Sequence, residues 1–190
     1  MGYTKLDSNK IIEELAEALG QNVETVEANA AVVVLLRVES REIQVLFVKR
    51  AVHPTDAWSG QVALPGGKRE PKDKNLKSTV VRETFEETGI NLLEGCKFLG
   101  ILEPVRSVKK PEMKVLPFVV LQREPQTIKL NRELTEYFWA PLKELDKHKK
   151  DVKPSFGEFT AYTVEGQVIW GLTFNILSNL LSLLEDINKE

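Results

Sequence analysis

The chain has 190 residues, 42% of them hydrophobic and 28% charged, with a formal net charge of −2. That length can bury one sizeable core, so a single domain over residues 1–190 is the default, and the near-neutral balance leaves no field to draw nucleic acid or an anionic membrane. A lone cysteine, Cys96, excludes an internal disulfide and fits a reducing, cytoplasmic setting.

Met1 to Lys10 is polar and lacks the apolar run of a signal peptide, and no apolar stretch reaches transmembrane length, which predicts a soluble protein. Within residues 7–20, Ser8 or Asn9 can cap an appendage helix carrying Ile11, Ile12, Leu15, Ala18 and Leu19 at helical spacing, with Gly20 to end it. Ala30 to Leu36 is apolar throughout, as in a strand covered on both faces. Glu42 to Arg50 reads as its hairpin partner. Ala51 to Ser59, with His53, Pro54, Asp56 and Trp58, has no periodicity and predicts a loop.

After the charged helix described below, Lys97 to Val105 and Met113 to Gln122 predict a second hairpin, with Arg106, Lys109 and Lys110 at a solvated tip. Glu136 to Ala140 predicts a strand, Leu142 to Leu145 a short helix, and Lys147 to Lys150 an exposed charged stretch. Thr160 to Val164 and Val168 to Trp170 flank a turn at Glu165 and Gly166, and a leucine-rich helix runs from Thr173 to Ile187. Trp139 and Trp170 stand in strand-like contexts and are expected in the core, while His53 and His148 lack any paired nucleophile or ligand spacing. Strands and helices in this order predict an α+β chain.

Residues 66–90, GGKREPKDKNLKSTVVRETFEETGI, carry the chemistry. On a helix over Lys74 to Thr88, Glu83, Glu86 and Glu87 fall at i, i+3 and i+4, on one stripe. Like charges so placed repel, and their oxygen-only ligand set suits Mg2+ or Mn2+. Asp73 is placed to cap the helix and Gly89 to close it, while Val80, Val81, Thr84 and Phe85 form the flank that packs. Gly66 and Gly67 have no side chains, so a substrate or a carbonyl ligand can come close.

The same stretch resembles the Nudix box, whose pattern is a glycine, five residues, an acid, seven residues, then REUxEExGU with U aliphatic. Gly67 is the glycine, Asp73 the acid, and Arg82, Glu83, Glu86, Glu87, Gly89 and Ile90 fill the remainder. Thr84 replaces an aliphatic, and eight residues separate Asp73 from Arg82. Boxes of that length occur in the coenzyme A pyrophosphatase-like branch, and Gly60 to Gly67, GQVALPGG, resembles the segment preceding the box there. That branch usually has a histidine where Trp58 stands.

The resemblance implies the Nudix fold, an α/β/α sandwich with a mixed β-sheet, and metal-dependent hydrolysis of a phosphoanhydride in a nucleoside diphosphate linked to another group. Alternatives are removal of pyrophosphate from modified nucleoside triphosphates, or a non-catalytic nucleotide-sensing module. Glu83, Glu87, Glu86 and Gly67 are the implied metal site, with Glu83 and Glu86 catalytic and Glu86 a second-ion ligand or proton acceptor. Arg82 and Asp73 are implied braces of the loop. Arg50, Trp58 and Gln61 are the expected substrate contacts, Glu158 a candidate late carboxylate, and a homodimer is common among such proteins.

Overall fold

The structure, a computed structural model, describes residues 8–24, 26–54, 58–147, 149–152 and 159–189. A mixed sheet forms its centre. β1 (Ala30–Glu39) pairs antiparallel with β2 (Glu42–Arg50) through a turn at Ser40 and Arg41, both at positive φ, and parallel with β7 (Lys114–Gln122). β3 (Val62–Ala63) extends the sheet beyond β2, and β4 (Gly66–Lys68) pairs with the start of β1. β5 (Cys96–Ile101) and β6 (Val105–Arg106) both run antiparallel to β7, and β8 (Leu134–Pro141) runs antiparallel to β2. The two expected hairpins are therefore present.

Because side chains alternate along a strand, an apolar run in every position needs cover on both faces. β1 shows this directly. Val34 and Leu36 enter one core with α1 (Ser8–Ala18) and α4 (Gly171–Ile187), whereas Ala31, Val33 and Leu35 enter another with Leu76 and Val80 of α2 (Leu76–Thr88). Helices on both faces make the α/β/α sandwich. No helix among the described residues is long and apolar enough to cross a membrane.

Several expectations are corrected. Asn75, not Asp73, caps α2: its side chain accepts from the Ser78 N–H and the Ser78 hydroxyl accepts from the Asn75 N–H. Gly89 closes the helix as expected, at φ 74°. Phe85 does not pack on the sheet but is 56% exposed, because Leu76, Val80 and Thr84 set a narrow buried stripe and Phe85 lies about 100° round from Thr84.

The charged segment after α3 (Leu142–Lys147) is a strand, β9 (Lys149–Val152), the outer partner of β10 (Phe159–Val164), which pairs on its other side with β11 (Gln167–Ile169). Its charged sequence hid a strand that pairs antiparallel with β10. Trp139 and Trp170 are only partly buried. Arg37 lies over the Trp139 ring, its guanidinium carbon 4.3 Å from the centroid. Asp56, His148 and Glu158 lie outside the described residues.

Candidate active site

α2 brings its carboxylates against β4, the strand that carries the glycine pair. The Gly66 N–H donates to Glu87 Oε2 at 2.8 Å. Gly66 has φ 141°, and a Cβ there would sit 2.3 Å from the Ala31 carbonyl oxygen, so only glycine lets β4 lie this close to β1. A Cβ on Gly67 would meet the Glu83 carboxyl carbon at 2.5 Å. Gly67 thus makes room for Glu83, while Gly66 lets β4 approach β1 and donates its N–H to Glu87.

Arg82 ties the preceding loop to the helix. Its Nε and Nη2 donate to the two Asp73 oxygens, each at 2.9 Å, and Nη2 also donates to the Lys68 carbonyl at 3.2 Å. Its Nη1 reaches Glu83 at 2.9 Å and Glu86 at 3.0 Å. Asp73 further accepts from the Glu70 N–H and the Thr79 hydroxyl. Arg82's paired hydrogen bonds hold the Asp73 carboxyl well below the usual carboxylate range.

The glutamates have separate environments. Glu87 is buried, and desolvation pushes its carboxyl up to about 8, with the Gly66 N–H opposing and the Glu83 charge adding to the rise. Burial also raises Glu83, against the pull of Arg82. Glu86 is different: its side chain is 49% exposed and turned to Arg82, with Lys72 at 3.9 Å. The single stripe read from the sequence divides in space, with Glu83 and Glu87 lining the cleft beside β4 and Glu86 outside that lining.

The cleft above Glu83 and Glu87 has a volume of about 310 Å³. Arg50, Trp58, Gln61 and Gly67 all line it, so the structure gathers the expected substrate contacts at the carboxylates. The Arg50 N–H donates to the Gln61 carbonyl and the Gln61 N–H to the Trp58 carbonyl, which fastens this loop to the end of β2. His53 is exposed and outside the lining.

Three lining residues escaped the sequence reading. Lys68 lies inside the charged box loop, and Trp170, expected in the core, precedes α4 at the cleft wall. Glu133 is the third. The loop before β8 closes the end of α2, with the Lys129 N–H donating to the Thr88 carbonyl and the Asn131 N–H to the Glu87 carbonyl. This strap sets Glu133 in the cleft, where its charge adds to the rise of Glu87. No local pattern marks Glu133 in the sequence.

Among the described residues no three histidine, cysteine or acidic side chains converge into a closed metal cage. An open site is the alternative that suits a hard divalent cation, which takes one or two carboxylates and completes its shell with water and substrate oxygens. Glu83 and Glu87 fit that requirement, since both carboxylates line the open cleft beside the Gly66 and Gly67 backbone.

The NUDIX domain family pattern matches residues 27–162. The human mitochondrial coenzyme A diphosphatase is 32% identical over 165 residues, covering 83% of this chain and 70% of that protein. An uncharacterized Schizosaccharomyces pombe protein is 48% identical over 60 residues, which span 31% of this chain and only 18% of that protein. The crystal structure of a Nudix hydrolase from M. smegmatis superposes with a TM-score of 0.59 at 18% identity, covering 84% of this chain and 87% of that one.

Proposed function

Because this chain belongs to the Nudix hydrolase family, we propose that it is a Mg2+- or Mn2+-dependent pyrophosphohydrolase acting on a nucleoside diphosphate linked to a second group. Nudix hydrolases as a class use divalent metal ions. The observation that carries the reading is the buried Glu87 beside Glu83 at the floor of a cleft of nucleotide size. Coenzyme A enters as a candidate substrate through the name of the human relative.

In the reaction a water oxygen bonds to one phosphorus, the bridging P–O bond breaks, and one proton must leave the water. A divalent ion supplies charge neutralisation of the phosphate oxygens when bound. Glu83 and Glu87 would hold that ion, with a backbone oxygen at Gly67 to assist. Arg50 and Lys68 face the remaining diphosphate charge, since both line the cleft. Glu133 joins Glu86 as a candidate to accept the water's proton: Glu133 already lines the cleft, whereas Glu86 must first leave Arg82. Arg82 and Asp73 brace the loop that carries the glycines.

The whole chain, residues 1–190, is taken as one Nudix unit, with α1 packed on α4 in the shared core. Its partner is a small nucleotide rather than nucleic acid or membrane, self-association as a homodimer is part of the reading, and a reducing cytoplasm suits Cys96. The experiment is a substrate panel with metal and with chelator: coenzyme A, ADP-ribose, NADH, dinucleoside polyphosphates and oxidised nucleoside triphosphates. Two phosphomonoesters from a linked nucleoside diphosphate support the reading. Inorganic pyrophosphate from triphosphates would favour nucleotide sanitising, and binding without turnover would make the chain a sensor.

A further inference from the structure

The lysines expected at a solvated tip, Lys109 and Lys110, instead lie over the Trp170 and Trp58 rings. A second set of cations is placed differently. Between the connection from α1 to β1 and the entry of the box loop into α2 lies a groove of about 990 Å³. Arg69, Lys74, Lys77 and Lys114 line it, with Glu24 and Glu27 as its acids. In a chain of net charge −2 this is a local reversal of sign.

The groove shares no lining residue with the cleft. Lys68 and Met113 face the cleft, whereas the next residue in each case, Arg69 and Lys114, faces the groove, as alternation along a strand requires. Asn29 fixes the two together. Its N–H donates to the Lys114 carbonyl and its Oδ1 accepts from the Lys114 N–H, each at 3.0 Å. Its Nδ2 donates to the Glu112 carbonyl at 2.8 Å, and its own carbonyl accepts from the Arg69 N–H at 3.0 Å. Backbones from the box loop and from the start of β7 are thus set in place before any ligand arrives.

Among the described residues none of the four cations is paired with a carboxylate. Arg69 directs its guanidinium to main-chain carbonyls, those of Asp73 at 3.3 Å and Lys74 at 2.8 Å, which leaves its charge uncompensated. Lys77 Nζ lies 4.2 Å from the Phe98 centroid, a contact that keeps the charge.

The lining also selects the kind of anion. No aromatic ring lines the groove among the described residues, so a nucleobase finds no stacking surface there. Three of the four cations are lysines, point charges suited to phosphate oxygens, while the planar fork that matches carboxylates is the engaged Arg69. These charges come from residue 69, residues 74–77 and residue 114, so a single phosphate would leave part of them unmatched. We propose that the groove is a second anion site, separate from the cleft, for a condensed inorganic phosphate. It does not depend on the hydrolase reading.

Titration calorimetry on the full chain in chelator tests this, with tripolyphosphate as the probe and orthophosphate and citrate beside it. Chelator removes the ion that would hold phosphate in the cleft. The parent should bind tripolyphosphate at least about tenfold more tightly than either comparison anion, and less tightly as salt rises. Lys74→Gln/Lys77→Gln/Lys114→Gln should weaken that binding at least about tenfold, with circular dichroism to check the fold. Lys74→Glu alone, at an exposed position, should weaken it about threefold or more, and Lys68→Gln in the cleft should leave it unchanged. Tripolyphosphate should also raise the Tm of the parent but not of the triple variant. Absence of binding by the parent, equally tight binding of citrate, or unchanged affinity in both groove variants would overturn the proposal, as would a loss caused by Lys68→Gln. Failure of the substrate panel with this pattern intact would count only against the hydrolase reading.

Discussion

Replacing Arg82 by alanine removes the fork that holds Asp73 and leaves that carboxylate, whose side chain is 4% exposed, without its cation. Breaking a buried ion pair on one side costs about 3–5 kcal/mol. The lower end applies here, because Asp73 keeps the Glu70 N–H and the Thr79 hydroxyl, so a loss of about 3 kcal/mol is expected. For a chain of this length that is roughly 6–12 °C in Tm, read by calorimetry or circular dichroism. The pH dependence has a definite sign. Asp73 is depressed in the fold, so the pair's contribution is complete above the ordinary aspartate value and disappears as pH falls toward the folded one. The gap between parent and Arg82→Ala should therefore narrow below about pH 4. Arg82→Lys should recover only part of the loss, since an ammonium cannot make the paired contact. A Tm drop under about 2 °C would refute the bracing role.

Other perturbations separate metal site from scaffold. Glu87→Gln should lower kcat by roughly two orders of magnitude or more, as loss of charge stabilisation at a reacting centre does. In chelator the same variant should melt higher than the parent at pH 8 and level with it near pH 5. A carboxyl raised to about 8 burdens the fold as pH climbs above its ordinary value, and glutamine does not titrate. Equal melting of the two at both pH values would contradict the burial argument. Gly67→Ala should leave the fold standing but displace the Glu83 carboxylate, weakening Mn2+ binding about 10- to 100-fold by titration calorimetry. Gly66→Ala, forced against the Ala31 backbone, should instead fail chiefly in stability. Asn75→Ala should cost about 1 kcal/mol in urea unfolding through loss of the α2 cap, with the site chemistry retained.

How much of this was legible in the sequence depends on the range of the forces involved. β1 was readable because two cores demand apolar residues in every register, as Val33, Val34, Leu35 and Leu36 show. The box was readable because its spacing follows one helix and one turn. Local competition was harder to see: Asp73 and Asn75 are both good caps by type, and Arg82, nine residues from Asp73, drew it away from the helix end. Phe85 looked like an anchor because hydrophobicity alone does not fix the buried arc of a helix that must also expose its carboxylates. β9 has the composition of a solvated run and is a strand only because β10 lies beside it.

The cleft wall was least legible. Trp170 follows a strand and looked apolar in context, while Glu133 reaches the site through the strap that binds the end of α2. Both depend on contacts between segments far apart in the chain. Lys109 and Lys110 carried the right charge for a site, but nothing in their neighbourhood named the tryptophans they cover.

The most direct measurement is phosphorus NMR of the best substrate from the panel, followed with Mg2+, with chelator, and with a Glu83→Gln/Glu87→Gln variant. The diphosphate resonances should give way to two phosphomonoester resonances only for the parent with metal. Persistence of the diphosphate with the parent and metal, or its equal loss with the double variant, would contradict it.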